Sequence, residues 1–132
     1  MHLGEDWNGV KGGNSDLKDS IFSVSNGYVS SIENYEGAWG NVVRIVHQLK
    51  DTTKYKFVET LYAHLDTVIV KQDNFIKRGE QIGTMGNCKG LYYAHLHFEL
   101  RCDLTILLGN GYSVDNNGYL NPTEFIKRNR PK

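Results

Sequence analysis

Residues 95–100, His-Leu-His-Phe-Glu-Leu, alternate polar and apolar side chains in the pattern of an extended strand. Side chains two positions apart on a strand point to the same side. His95, His97 and Glu99 therefore share one face, while the two leucines and the phenylalanine share the other and can enter a core. Crowding two imidazoles and a carboxylate without a partner is energetically costly. A bound metal ion is the natural explanation.

A second segment, residues 2–6, contains what the strand lacks for a complete metal site. It separates an imidazole and a carboxylate by three residues, including Gly4, which permits a tight backbone turn. A catalytic zinc ion usually has three protein ligands and leaves a fourth position for water. His2, Asp6 and one histidine of the later pair meet that count, and this donor set suits zinc better than calcium or magnesium. The competing interpretation is that His2 belongs to a disordered terminus and that the two histidines of the strand lie on the surface without a functional role.

His64 is a further candidate, because it closes an apolar, alternating run that predicts a strand ending in a turn. The chain contains no His-Glu-x-x-His sequence, so the glutamate base of that metalloprotease class is missing. A histidine that does not bind the metal can replace it, since an imidazole titrates near neutral pH. The residues alone leave His64 and one of His95 or His97 as candidates.

Composition predicts one small domain spanning residues 1–132. A chain of 132 residues can bury a single hydrophobic core. Its 15 Lys and Arg residues balance 15 Asp and Glu residues, so no global field attracts nucleic acid or a membrane surface. No apolar run approaches the roughly 18 residues of a membrane span. We expect a monomer that neither binds nucleic acid nor inserts into a membrane.

The two cysteines, Cys88 and Cys102, flank the histidine-bearing strand. A disulfide would link the loop before the strand to the segment after it, but two free thiols are the favoured interpretation. Neither thiol is needed as a zinc ligand or nucleophile. A reactive Cys88 paired with His95 would argue against the metal hypothesis.

Short strands with regular turn signals predict a largely antiparallel β architecture. The expected strands are residues 21–24, 28–33, 41–49, 55–64, 68–70, 80–85 and 94–101. The first two flank a Ser-Asn-Gly turn and predict a hairpin, and the polar segment 50–56 predicts another. His47 lies on an otherwise apolar strand face, which favours a hydrogen-bonded structural role over a ligand role. The clear helix start is Asn121, followed by proline at the first helical position and glutamate at the third.

Loops are expected to surround the site. The glycine-containing loop 83–94 leads into the histidine strand, and Tyr92 and Tyr93 are candidates to line a groove for an extended ligand, although a plain flexible turn explains the glycines equally well. The polar insertion 103–118 is a candidate wall of the cleft. Residues 8–18, rich in glycine, asparagine and aspartate, predict an exposed loop.

In chain order, the segments 2–6 (His-Leu-Gly-Glu-Asp), 62–64 (Tyr-Ala-His) and 95–99 (His-Leu-His-Phe-Glu) resemble the lysostaphin/LytM-type zinc metallopeptidases. The resemblance also includes residues 25–29, 39–43, 77–83 and 121–122. It extends over nearly the whole chain, and the combination of motifs is specific although no single one is. It implies a mainly β fold, an antiparallel sheet in a sandwich/barrel-like hybrid with one short C-terminal helix.

The resemblance implies zinc ligands at His2, Asp6 and His97. It implies catalytic histidines that do not bind the metal at His64 and His95. The chain departs from the family at its start, because family domains normally carry several residues, often including a strand, before the first metal histidine. We therefore expect a domain excised from a longer chain, with the N-terminal strand missing and a poorly fixed backbone around the first ligand.

The implied activity is hydrolysis of peptide cross-links or bridges of bacterial peptidoglycan, with a metal-activated water and histidine as general base and oxyanion stabiliser. Glu99 is expected to orient a histidine. Such a protein would act outside the cell, at the cell wall or in the periplasm. One alternative is an inactive relative that binds cell-wall peptide or activates an amidase. Another is a carrier or binding domain on a similar β sandwich, which would leave the His2 and Asp6 pair unexplained.

Overall fold

The computed structural model describes residues 2–9, 11–50, 54–106, 108, 111 and 117–129. Within these residues the chain forms nine strands and one helix. Their bounds are β1 Glu5–Trp7, β2 Ser20–Phe22, β3 Gly27–Asn34, β4 Asn41–Gln48, β5 Phe57–Val68, β6 Phe75–Ile76, β7 Gln81–Met85, β8 Leu96–Arg101, β9 Tyr119–Leu120 and α1 Pro122–Asn129. The predicted fold class, mainly antiparallel β with one short C-terminal helix, is confirmed.

The strands follow the order β1-β8-β5-β4-β3-β6, and each neighbouring pair is antiparallel. Off this path, β2 pairs with β7, β7 also pairs with β5, and β9 pairs with β8. Strand β8 therefore lies between the first strand of the chain and the long β5. The predicted hairpin between β4 and β5 is confirmed by the pairing, whereas its turn residues 51–53 lie outside the described part of the chain.

The main hydrophobic core lies on one face of this sheet. On β8, Leu96 and Phe98 enter the core while His97 and Glu99 point away from it, as the alternation predicts. The β2–β7 pair covers the same core from the other side. The buried members are Ile21, Val29, Val43, Ile45, Tyr62, Leu65, Ile76, Ile82, Met85, Ala94, Leu96 and Phe98.

A smaller apolar cluster lies on the opposite face, which also carries the polar side chains of β8. It consists of Val42, Leu61 and Ala63, with Trp39 and Leu108 packed against it. We call this side of the sheet the site face. Its apolar part is small, so much of it is polar and needs partners inside the protein.

The predicted hairpin between residues 21–24 and 28–33 is wrong, although both strands exist. Strand β2 pairs with β7 and β3 pairs with β4 and β6. Ser23 continues the β2–β7 contact, since its amide donates to the Glu80 carbonyl (2.9 Å) and its own carbonyl accepts from Gly79 (2.8 Å). The turn signal at residues 25–27 thus marks a crossing from the β2–β7 pair to the strands next to β3. Local turn chemistry does not distinguish such a crossing from a hairpin.

The strand predicted to end near His64 instead continues to Val68 and includes the start of the separate strand expected at 68–70. His64 has a positive φ of 65°, and the register of β5 against β7 shifts between Leu65 and Val68. A left-handed residue and an irregular register let a strand bend without ending. The first part of β5 therefore pairs with β4 and β8, and its last part pairs with β7.

Helix α1 starts as predicted. The side chain of Asn121 accepts a hydrogen bond from the Glu124 amide at 3.0 Å, which satisfies one free N–H group of the first turn. Residues 130–132 lie outside the described part of the chain. In the described part of the chain, no helix has the length and apolarity of a membrane span.

His47 has the structural role that its position predicts. It is buried, with Nδ1 2.7 Å from the Asn26 carbonyl and Nε2 2.7 Å from the Thr60 hydroxyl. Both ring nitrogens therefore have partners, and the ring lies on the core side of β4 with Val43 and Ile45.

We predict that His47 makes the fold less stable in mild acid. Burial lowers the pKa of His47 below its ordinary value of 6.5, against a smaller opposite effect of the Asn26 carbonyl. Below about pH 6.5 the unfolded chain takes up a proton that the folded protein does not, so the free energy of unfolding should fall. Urea denaturation at about pH 7.5 and about pH 5 measures this change. The free energy of unfolding should decrease less between the two pH values for His47→Gln than for the wild type. Equal decreases would contradict the prediction.

Candidate metal centre

Three predicted ligands meet at the edge of the site face. His97 Nδ1 lies 3.0 Å from Asp6 Oδ1 and 3.1 Å from His2 Nε2, and His2 Nε2 lies 3.5 Å from Asp6 Oδ1. His97 is buried, His2 is half-buried and Asp6 is exposed. The three side chains therefore surround a common point that stays open towards solvent on the Asp6 side.

The spacing of these donors fits a tetrahedral zinc ion. Zinc binds imidazole nitrogen and carboxylate oxygen at about 2.0–2.2 Å, so two ligands of a tetrahedral site lie about 3.3–3.5 Å apart. The observed separations of 3.0, 3.1 and 3.5 Å differ from this by a few tenths of an ångström at most. Two imidazoles with one carboxylate also form a donor set that zinc accepts, with one position left for water.

Strand β1 places Asp6 directly opposite His97 in the antiparallel pairing with β8. The Leu3 amide donates to the Gly111 carbonyl at 2.9 Å. The opening segment is therefore tied to β8 by ladder pairing and to the insertion by this hydrogen bond, at positions where an untied chain end orders badly.

Glu5 attaches β1 to the C-terminal helix. Its carboxylate accepts hydrogen bonds from the Thr123 hydroxyl (2.6 Å), the Thr123 amide (3.2 Å) and the Trp7 indole (2.7 Å). Burial raises the pKa of Glu5, but these hydrogen bonds outweigh it and the net pKa is lowered. The charged carboxylate thus interacts favourably with the positive end of the α1 dipole.

Glu99 contacts the ring of His97 on the side away from the other ligands. Its Oε1 atom lies 2.9 Å from His97 Nε2, while Oε2 accepts two hydrogen bonds from Arg101 at 2.6 and 2.9 Å. A carboxylate that accepts from one ring nitrogen fixes the ring's orientation and leaves the other nitrogen to face a metal. The expectation that Glu99 orients a histidine agrees with this contact.

The charges of this group shift both pKa values. Burial raises the pKa of Glu99, but the contacts with His97 and Arg101 outweigh it and lower the pKa. Burial lowers the pKa of His97, but the hydrogen bonds with Glu99 and Asp6 outweigh it and raise the pKa. Glu99 therefore stays ionised within the protein.

His64 faces the same site from β5. Its Nδ1 atom lies 3.2 Å from the Trp39 carbonyl and 3.3 Å from Cys88 Sγ. A carbonyl only accepts, so Nδ1 carries the proton and Nε2 keeps a lone pair. Burial lowers the pKa of His64 to about 4, helped by the nearby His95, so the ring is neutral at physiological pH.

His95 immediately precedes β8 and completes the set. Its Nδ1 donates to the Tyr93 carbonyl at 2.8 Å, and its Nε2 lies 3.7 Å from Asp6 Oδ1. The ring centroid is 4.7 Å from that of His64. All five predicted site residues therefore lie together, with His97 closer than His95 to the common point.

An aromatic rim and an open groove border the histidines. The Tyr92 ring lies 5.2 Å from His64 and 5.7 Å from His95, while Tyr93 is mostly exposed. The groove, of about 640 Å³, is lined by Asn34, Glu36, Gly37, Gly40, Asn41, Leu65, Asp66 and the loop 86–91. Residues 86–91 of the predicted loop thus line this groove, whereas Tyr92 and Tyr93, the expected lining residues, are not among those that line it.

The second predicted wall is only partly described. In the insertion 103–118, Leu108 packs against the site-face cluster and Gly111 lies close to His97, whereas residues 107, 109–110 and 112–116 lie outside the described part of the chain.

Sequence reasoning did not assign roles to Trp39 or Arg101. The Trp39 ring lies 5.4 Å from the His97 ring, and its carbonyl holds His64. Trp39 begins the segment 39–43 that belongs to the family resemblance, but the residues alone assign it no role, because its neighbours come from distant strands. Arg101 had a detectable signal, since it continues the alternation His97, Glu99 by one more step on the same face.

Cys88 does not behave as a catalytic thiol. Both cysteines are free, as predicted. Cys88 contacts His64 rather than His95, and burial raises the pKa of its thiol. A nucleophilic cysteine requires a lowered pKa, so the nucleophile alternative has no support.

The family model for peptidase family M23 matches residues 1–116. Lipoprotein NlpD from Yersinia enterocolitica is 36% identical over 81 residues, which are 61% of this chain and 75% of that protein. Peptidoglycan DD-endopeptidase ShyB from Vibrio cholerae is 35% identical over 80 residues, 61% of this chain and 17% of that protein. Murein hydrolase activator NlpD from Salmonella dublin is 30% identical over 103 residues, 74% of this chain and 25% of that protein. The match thus spans a minor part of the last two relatives.

Solved structures share the fold. The catalytic domain of lysostaphin from Staphylococcus simulans aligns with a TM-score of 0.65 at 24% identity, over 96% of this chain and 80% of that one. A zinc-containing peptidase from Vibrio cholerae aligns with a TM-score of 0.57 at 28% identity, over 75% of this chain and 26% of that one.

We predict that Glu99→Gln destabilises the protein strongly. The change leaves Arg101 buried beside a neutral amide, and breaking a buried ion pair costs about 3–5 kcal/mol of unfolding free energy. Urea denaturation at neutral pH measures the loss. The exposed Glu36→Gln is the matched control and should change stability by less than about 0.5 kcal/mol. Similar values for the two variants would contradict a structural role for the Glu99 charge.

Proposed function

The chain belongs to peptidase family M23, and on that premise we propose that it is a zinc-dependent endopeptidase of bacterial peptidoglycan. The observation that carries the proposal is the convergence of His2, Asp6 and His97 from the two ends of the chain, with donor separations of 3.0–3.5 Å. Two more histidines lie beside that point. This is the residue set that hydrolysis of an amide by a metal-activated water requires.

We propose His2, Asp6 and His97 as the metal ligands. The donor spacing, the exposed side at Asp6 and the carboxylate behind His97 support this set. A zinc ion bound there would lower the pKa of a bound water and polarise the scissile carbonyl. The zinc-containing peptidase among the structural neighbours is consistent with this metal.

His95 and His64 are the proposed proton-transfer groups. The Nδ1 atoms of both rings donate to backbone carbonyls, which leaves Nε2 of each ring able to accept a proton. One imidazole takes the proton of the attacking water. The protonated ring then stabilises the negative charge on the substrate oxygen and delivers the proton to the leaving amine.

The proposed substrates are peptide cross-links or bridges. The similarity to the peptidoglycan DD-endopeptidase of Vibrio cholerae supports peptidoglycan as the substrate class. The groove beside His64 has Gly37 and Gly90 among its lining residues, and the space where their side chains would lie is free of protein atoms, so an extended peptide has room to approach the backbone there. Relatives named as lipoprotein and as murein hydrolase activator support action in the cell envelope.

A second candidate function is activation of a peptidoglycan amidase without hydrolysis by this chain. The name of the Salmonella relative, murein hydrolase activator, favours it. The two proposals differ in what the metal-site residues must do. A pure activator needs a docking surface, whereas an endopeptidase needs the ligands and both catalytic histidines.

We predict that the zinc-loaded protein releases new amino groups from purified peptidoglycan, and mass spectrometry identifies them. We also predict that the His97→Ala variant loses zinc and activity together. The reason is that His97 contacts both of the other proposed ligands. Metal content is measured by elemental analysis. Failure of the zinc-loaded wild type to cut, combined with stimulation of an added amidase by both wild type and His97→Ala, would favour the activator instead.

We predict a different result for His95→Ala. This variant should keep about one zinc per chain and lose activity by roughly 10²- to 10⁴-fold, because it removes a proton-transfer group and spares the proposed ligands. Hydrolysis at the native rate would contradict the proposed role of His95. Loss of the metal would instead move His95 into the ligand set.

A further inference from the structure

A row of charged side chains, buried except for the partly exposed Arg44, crosses the site face behind the proposed metal ligands. Arg44 Nε donates to Glu59 Oε1 at 2.8 Å, and Arg101 NH1 lies 3.9 Å from the same carboxylate oxygen. Arg101 in turn binds Glu99, which contacts His97. Arg101 and Glu99 are 0% exposed. The row therefore runs from β4 through β5 to β8 and ends at a ligand.

The same arginines hold the chain segment that follows β8. The carbonyl of Ile106 accepts one hydrogen bond from Arg44 and one from Arg101, both at 3.1 Å, and the carbonyl of Leu108 accepts a longer one from Arg101 at 3.4 Å. The two guanidinium groups thus bind backbone oxygens of the insertion as well as carboxylates.

Gly111, three residues after Leu108, lies at the other end of the site. Its carbonyl accepts the hydrogen bond of the Leu3 amide, next to His2. The Gly111 backbone also passes close to His97, since a Cβ atom added there would lie 3.5 Å from Nε2. The insertion therefore touches two of the three proposed ligands or their immediate neighbours.

We propose that Arg44, Glu59 and Arg101 are positioning residues of the metal centre. Through Glu99 they orient the ring of His97. Through the insertion and Leu3 they hold the segment that carries His2. The inference rests on the proposed function for its metal, but the positions of the two histidines are a property of the chain itself.

These residues fit a positioning role because a buried ion network adds little net stability but fixes the orientation of the groups that it binds. Removing the charges from water costs about as much free energy as their mutual attraction provides. A protein in which apolar residues replace such a network is therefore often no less stable. A guanidinium group, however, has five donors in a fixed plane, so Arg101 can bind a carboxylate and two carbonyls in one arrangement only. Metal affinity depends on such outer contacts, which typically change it by about 10- to 100-fold.

The test uses Arg101→Lys and the milder Arg44→Met, which leaves the contact between Arg101 and Glu99 in place. Zinc affinity is measured by competition with a chelator. The visible spectrum of the cobalt-substituted protein reports ligand geometry. Hydrogen exchange of the Leu3 amide, followed by NMR, reports how firmly the opening segment is held, and it requires neither activity nor metal.

We expect Arg101→Lys to weaken zinc binding by about 10- to 100-fold, to alter the cobalt spectrum and to speed exchange at Leu3. Arg44→Met should change all three readouts in the same direction by less. The double variant should lose less affinity than the product of the single losses, because the two residues act through one network. If Arg101→Lys does not fold, Arg44→Met decides the question.

Thr60→Val is the matched control. Thr60 is buried on β5 next to Glu59 but faces the core and contacts His47. It should lower stability without changing the readouts of the folded protein. The proposal is overturned if folded arginine variants match the wild type in Leu3 exchange and metal binding, or if Thr60→Val shifts the readouts as much. A wild type that binds no zinc defeats the proposed function, and Leu3 exchange in the arginine variants then supports or overturns the positioning role.

Discussion

The antiparallel pairing of β1 with β8 is the contact on which the rest of the site depends. It places residue 6 opposite residue 97 and so joins two segments that are more than ninety positions apart in the chain. Three ladder positions are a short contact, and an edge strand of this length would fray without support. Glu5, through Trp7 and Thr123, and Leu3, through Gly111, provide that support on both sides of the ladder.

The two faces of the sheet differ in what they bury: hydrophobic surface on the core face and charged side chains on the site face. The core face is almost wholly apolar and is closed by the β2–β7 pair, so its stability comes from burial of hydrophobic surface. The site face contains buried charge, and every charge there has a partner. Among the described residues, no buried side-chain nitrogen or oxygen lacks a hydrogen bond. A metal centre with accurate geometry can be built on such a face because a stable core lies directly behind it.

One of the non-glycine residues with a strained backbone lies where the chemistry is proposed. His64 adopts a left-handed backbone conformation in the middle of β5, which costs a non-glycine residue free energy. Hydrogen bonds from its backbone and side chain to the Trp39 carbonyl hold it there. In return, a single long strand supplies core residues on both sides of the bend and an imidazole beside the site. If the strand ended in an ordinary turn at this point, the core residues and the imidazole would belong to separate elements.

Side-chain periodicity and cap chemistry are local, and the sequence alone determined what depends on them. The alternation at 95–100 assigned the faces of β8, Asn121 and Pro122 marked the start of α1, and the recurrence of histidine with acidic residues identified the candidate donors. The tertiary structure alone decided which strands pair, that the turn at 25–27 joins strands with different partners, and that the opening segment contacts β8 and Gly111. It also decided that the partly exposed Arg44 and the buried Glu59 and Arg101 form one row of charges with the ligand strand. These features depend on contacts between residues distant in the chain, and a strand's sequence specifies which way its side chains face but not which partner will lie beside it.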